Sequence, residues 1–172
     1  MNRILLPATG PLGRGVRFLR TGMVALALGA VAVVPARADP GWEAIRAGDM
    51  AAADAYWRPL AESGDVNAMV GMGNLASMTG RDADAAGWYA RAAAKGERSA
   101  QVLLASAYLE GRGVERDPLL AYAWYHLAAL EGHPKAGAAR DLAAQWLTPE
   151  QVSQARAMAE RWRAIGPPGA AN

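Results

Sequence analysis

The chain has 172 residues, 18 Lys+Arg against 16 Asp+Glu, and a formal net charge of +2. With 52% hydrophobic and 20% charged residues it is too apolar for a disordered tail protein and fits one modest domain. The absence of cysteine excludes a disulfide scaffold, CxxC redox chemistry, a thiolate zinc site and a cysteine nucleophile. With His126 and His133 as the only histidines, a multi-histidine metal site is excluded too.

Residues 1–38 carry Arg3, Arg14, Arg17, Arg20 and Arg37 and no acid, and 22–34 is an unbroken run of apolar and glycine residues. Pro35 ends the run, and Ala36-Arg37-Ala38 follows. A basic leader, an apolar stretch and an A-x-A site predict a signal peptide cut after Ala38. The run would span about 20 Å as a helix against roughly 30 Å of hydrocarbon, so a retained anchor is the weaker alternative. Cleavage implies a periplasmic or secreted bacterial protein with no stable membrane span. It also inverts the charge: five arginines leave, and 13 Lys+Arg face 16 acids, a net charge of −3. The basic pI near 9.2 is owed to the leader, and nucleic-acid binding loses its electrostatic basis.

Beyond residue 38 the apolar spacing predicts helices over 41–47, 49–63, 67–79, 82–94, 99–110, 118–131, 134–146 and 149–164, and no strand. Pro59 is expected to kink the second helix or restart it. Ser99, Asp82 and Asp117 are expected to cap helix starts, and Thr148-Pro149 to open the last one. Residues 166–172, Gly-Pro-Pro-Gly-Ala-Ala-Asn, are expected to be disordered.

These helices repeat. Gly64, Gly96 and Gly132 are spaced by 32 and 36 residues. Seven residues before them stand Trp57, Tyr89 and Tyr125, each preceded by Tyr56, Trp88 and Trp124; four residues after them stand Ala68, Ala100 and Ala136. The unit reads helix, glycine, helix, and its alanines allow close helix approach while the aromatics fill the gaps. One helix pair cannot bury its own face, so neighbours must stack.

The pattern resembles Sel1-like repeats, a tetratricopeptide-related family of antiparallel helix pairs. Residues 100–136 carry the resemblance through Ala100, Leu104, Tyr108, Gly111, Gly113, Val114, Asp117, Ala121, Trp124, Tyr125, Ala128, Ala129, Gly132 and Ala136, with Ala105 where the pattern has glycine. Residues 68–100 match at Ala68, Met72, Gly73, Ala85, Trp88, Tyr89, Ala92, Ala93, Gly96 and Ala100, but their loop is four residues shorter. Residues 49–68 resemble only the second helix of a repeat, and 147–162 resemble a closing helix. The resemblance implies an all-α fold, a short α/α solenoid of about three to three and a half repeats over 39–165. It implies a non-enzymatic adaptor of the cell envelope that binds a protein or peptide on its concave face, as a monomer or a weak homodimer formed through the Trp162 helix.

Positions expected to face solvent on the first helix of each pair supply the candidate partner contacts Asn67, Met69, Asn74, Gln101 and Arg140. Trp42, ahead of the first repeat-like helix, is either an edge cap or a partner anchor. The other five tryptophans are expected to pack. No G-x-S-x-G, phosphate loop or metal spacing occurs after residue 38, so no catalytic residue, cofactor or metal is assigned. The competing reading is a small envelope hydrolase with a site between helix pairs. It would need His126 or His133 within hydrogen-bond reach of Glu110 or Glu131.

Overall fold

A computed structural model describes residues 39–169. The predicted leader lies outside the described residues, as do 170–172 of the predicted disordered tail. The described chain forms α1 (Pro40–Arg46), α2 (Met50–Glu62), α3 (Val66–Met78), α4 (Asp82–Ala94), α5 (Arg98–Glu110), α6 (Pro118–Leu130), α7 (Ala136–Ala143) and α8 (Pro149–Ile165). A 3₁₀ turn, Ala144–Trp146, extends α7. No strand occurs among the described residues. Each helix packs on the next in order from α1 to α7, and α8 packs on α6. This is an all-α solenoid of short helix pairs, α3/α4 and α5/α6, preceded by the half repeat α2 and closed by α7 and α8, which both pack on α6.

Local chemistry places most helix ends. Asp39, Asp49 and Asp65 each accept backbone N–H bonds at the starts of α1, α2 and α3, removing donors that a helix start leaves unpaired. Asp117 accepts from Leu119 and Leu120 at 2.9 Å, with Pro118 in the first turn of α6. Thr148 and Gln151 form a reciprocal capping box at α8. Two expected caps are not formed. α5 starts one residue early because Glu97, not Ser99, caps it by accepting from the Ser99 N–H. Asp82 is the first residue of α4, which has no side-chain cap; its carboxylate instead contributes negative charge to the first turn. α7 begins two residues later than predicted, because Pro134 and Lys135 are spent in the turn after Gly132.

α2 continues through Pro59 to Glu62. Pro59 removes only the bond to the Ala55 carbonyl, and both residues are exposed, so water satisfies it. After α8 the chain turns at Gly166 (φ +89°), and a β-carbon at Gly169 would sit 3.6 Å from the Ala94 methyl.

The core is alanine with large inserts. Trp57, Met69, Met72, Leu75, Leu104, Tyr122 and Leu127 are fully buried among alanines such as Ala53, Ala92, Ala105 and Ala128. Each such large side chain contributes roughly 1.5–3 kcal/mol of burial. Glycine makes room for the rings. A β-carbon at Gly71 would lie 2.6 Å from the Trp57 ring, and one at Gly73 would collide with the Tyr89 ring. Trp124 and Trp162 stack at 4.7 Å, sealing α8 onto α6.

Candidate functional site

The first helices of the pairs position the candidate contacts, beginning with α3. Gly73 leaves room for the Tyr89 ring against α3, and the Tyr89 hydroxyl donates to Asn74 Oδ1 at 2.9 Å. The Asn74 amide N–H groups remain available as donors. Ser77 lies one turn further along α3, and Asp82 opens α4. The α5–α6 loop closes the far side: Gly113, at φ +72°, presses so tightly on the Asp82 carbonyl that no β-carbon fits, and this carries Arg112 to the rim. The resulting cavity is about 140 Å³ and is lined by Asn74, Ser77, Asp82, Tyr89, Leu103 and Arg112, with alanines behind. Burial pushes the Tyr89 phenol up, opposed by Arg112, so the hydroxyl is a neutral donor at physiological pH.

The next repeat carries a related arrangement. Tyr125 is buried beside Ser106, whose hydroxyl bonds Glu110 at 2.8 Å. A polar residue on the first helix thus meets the buried tyrosine of the second helix in two successive repeats. The first cavity can take one partner side chain or a turn of backbone. It is smaller than the roughly 300–1,000 Å³ typical of sites that engulf small molecules.

The other predicted contacts separate. Asn67 is exposed, and Arg140 is partly exposed, held by Asp141 with its Nη1 3.4 Å from His126 Nδ1. Trp42 is 38% exposed and sits edge-on to Trp57 at 5.0 Å, so it both closes the N-terminal edge and presents one face. Met69 and Gln101 do not face solvent; both are fully buried. They occupy equivalent positions on α3 and α5, each of which is covered by helices on two sides, so the buried arc is wider than one stripe. Gln101 Nε2 donates to Glu131 Oε2 at 3.0 Å, and its Oε1 has no partner.

Trp146 was expected to pack and is 63% exposed, covered only by the Arg116 guanidinium 4.6 Å from its ring centroid. It lies in the 3₁₀ turn, off the helical register that the apolar spacing implies. Leu142, one turn earlier, is also exposed.

The geometry required by the hydrolase reading is not formed. His126 faces Arg140 and the Tyr122 ring, and His133 accepts from the Lys135 N–H within its own turn. Glu110 is engaged by Ser106 and Arg112, and Glu131 by Gln101. Among the described residues, no three His, Cys, Asp or Glu side chains cluster as a metal site.

Stacked helix pairs with glycine turns and buried tyrosines define the class: a short α/α repeat solenoid. The Sel1 repeat family model matches residues 98–133, the α5–loop–α6 unit. Among solved structures the chain is similar to c5321, described as a protective antigen present in uropathogenic Escherichia coli strains displaying an SLR fold. The two are 30% identical with a TM-score of 0.67, over 76% of this chain and 30% of that one. The chain therefore spans about a third of that structure's length. No curated protein matches the chain. The repeat match and the shared fold support a Sel1-like repeat protein. Repeats of this kind generally serve as protein-interaction scaffolds.

Proposed function

We propose that this chain is a non-enzymatic adaptor of the bacterial cell envelope, exported by its N-terminal segment and binding a protein or peptide partner on the face formed by α3, α5 and α7. The observation that carries this reading is the cavity at Asn74, where a free amide, a carboxylate and a guanidinium surround an apolar floor. Such a site anchors one side chain of a partner while the flanking helices supply area. Export draws support from the A-x-A site and from Asp39. The residue after the expected cut is itself the first capping residue of the folded unit, so the expected cut leaves every described helix whole.

Photo-crosslinking tests the surface. A photoreactive residue at Asn67 or Asn74 should give a discrete adduct in the exported fraction, whereas one at Gln154, on the outer face of α8, should not. Equal labelling at all three positions would sink the reading. N-terminal sequencing tests export: material isolated from the envelope fraction should begin at Asp39, and a Met1 start would overturn it.

A further inference from the structure

α6 is flanked by α7 on one side and α8 on the other, and those two helices make at most marginal contact with each other. On α6 the His126 ring lies beside the Tyr122 ring, with centroids 5.9 Å apart. From the α7 side comes Arg140. Asp141 Oδ1 accepts from its Nε and Nη2 at 2.9 and 2.7 Å, which fixes the fork and leaves Nη1 facing His126 Nδ1 at 3.4 Å. From the α8 side, Arg156 Nε donates to the Tyr122 hydroxyl at 2.9 Å. Because Tyr122 is fully buried, that bond anchors an exposed arginine to the core. Arg163, two turns along α8, adds positive charge that the same histidine feels.

Two acids balance this group incompletely. Asp141 is taken by Arg140, and Glu160, which also faces His126, reaches Arg163 at 3.4 Å. Among the described residues Arg156 makes no ion pair. Three arginines therefore meet two carboxylates around a histidine, on a chain that is net acidic once its leader is removed. Burial first, then Arg140 and Arg156, hold the His126 imidazole below the usual histidine range. A guanidinium fixed by a neighbour, with further N–H donors free, matches the planar geometry of an oxyanion, and such charge-assisted bonds are the stronger kind.

We propose that the arginine cluster around His126, where α7 and α8 flank α6, binds an oxyanion, the carboxylate or phosphate group of a ligand, through Arg156 and Arg140. The site is separate from the Asn74 cavity and does not depend on the adaptor reading. An anion there offsets the arginines and favours the imidazolium form, so bound anion and bound proton reinforce one another. Affinity rises as the pH falls through the histidine range.

The two histidines make the test self-controlled. The imidazole proton resonances of His126 and His133 in the full chain are followed by NMR from pH 5 to 8. The titrations are run in sodium chloride, in inorganic phosphate and in acetate at equal ionic strength. The expected result is an upward shift of the His126 titration by about half a pH unit or more in at least one oxyanion, with an unchanged His133 curve. The arm that moves it identifies a phosphate-like or carboxylate-like ligand. Arg156→Gln should abolish the shift while near-UV circular dichroism shows the fold intact. Equal movement of both histidines, no movement of either, or a shift that survives in Arg156→Gln would each overturn the proposal.

Discussion

Gly113 and Gly87 illustrate how differently one residue type is used. Gly113 has a positive φ and touches the Asp82 backbone, so a methyl group meets both a strained conformation and a steric wall. Gly113→Ala should destabilise the protein by about 2–4 kcal/mol in urea unfolding and displace Arg112 from the cavity rim. Gly87 lies mid-helix in α4 with open space around it. Gly87→Ala should stabilise by about 0.5–1 kcal/mol, the ordinary helix-propensity gain. His126 gives a pH dependence. Its folded form binds protons less readily than the unfolded chain, so its contribution to stability is complete above the usual histidine range. That contribution is lost as the pH falls from about 6.5. His126→Gln should flatten the slope of unfolding free energy between pH 7 and 5, and an unchanged slope would contradict this assignment.

At the scale of the helix, period and punctuation carry most of the information. The repeated glycines, aspartates and prolines set where helices start and stop, because caps and turns are chemically local. For that reason the eight predicted helices lie within about two residues of the observed ones, apart from the 3₁₀ end of α7. What a helix faces is not local. Met69 and Gln101 stand one position beyond an apolar stripe, and only the presence of helices on both sides of α3 and α5 buries them. Trp146 shows the reverse, an aromatic in helical register that a 3₁₀ turn rotates into solvent. Asn74 was legible as a polar position on a first helix. Its tyrosine partner and the Arg112 rim were not, since both depend on how the α5–α6 loop folds back on α4. Pro59 belongs to this scale as well. Pro59→Ala should restore one helical hydrogen bond in α2 and raise stability by about 1 kcal/mol, measured by thermal unfolding.

At the scale of the molecule, stability is distributed between neighbours, since α1 to α7 each pack on those adjacent in order and α8 packs on α6. The two ends are then the weak points, and each is closed by a pair of tryptophans. At one end Asp39 Oδ1 accepts from the Gly41 and Trp42 N–H groups and from the Trp57 indole, and Trp42 lies edge-on to Trp57. At the other, Trp124 packs on Trp162. The aromatic columns that revealed the repeat include Trp57 and Trp124. Trp42 and Trp162, which lie outside those columns, complete the two closures. The contacts of Trp42 with Trp57 and of Trp162 with Trp124 were therefore not readable from the repeat pattern.

These two closures have an optical consequence. Indoles whose centroids lie 5.0 and 4.7 Å apart are close enough for their electronic transitions to couple, so each end contributes its own band to the near-ultraviolet circular dichroism. Trp42→Phe silences the first and Trp162→Phe the second. The pair of spectra turns an otherwise uniform helical stack into one whose two ends can be watched opening separately.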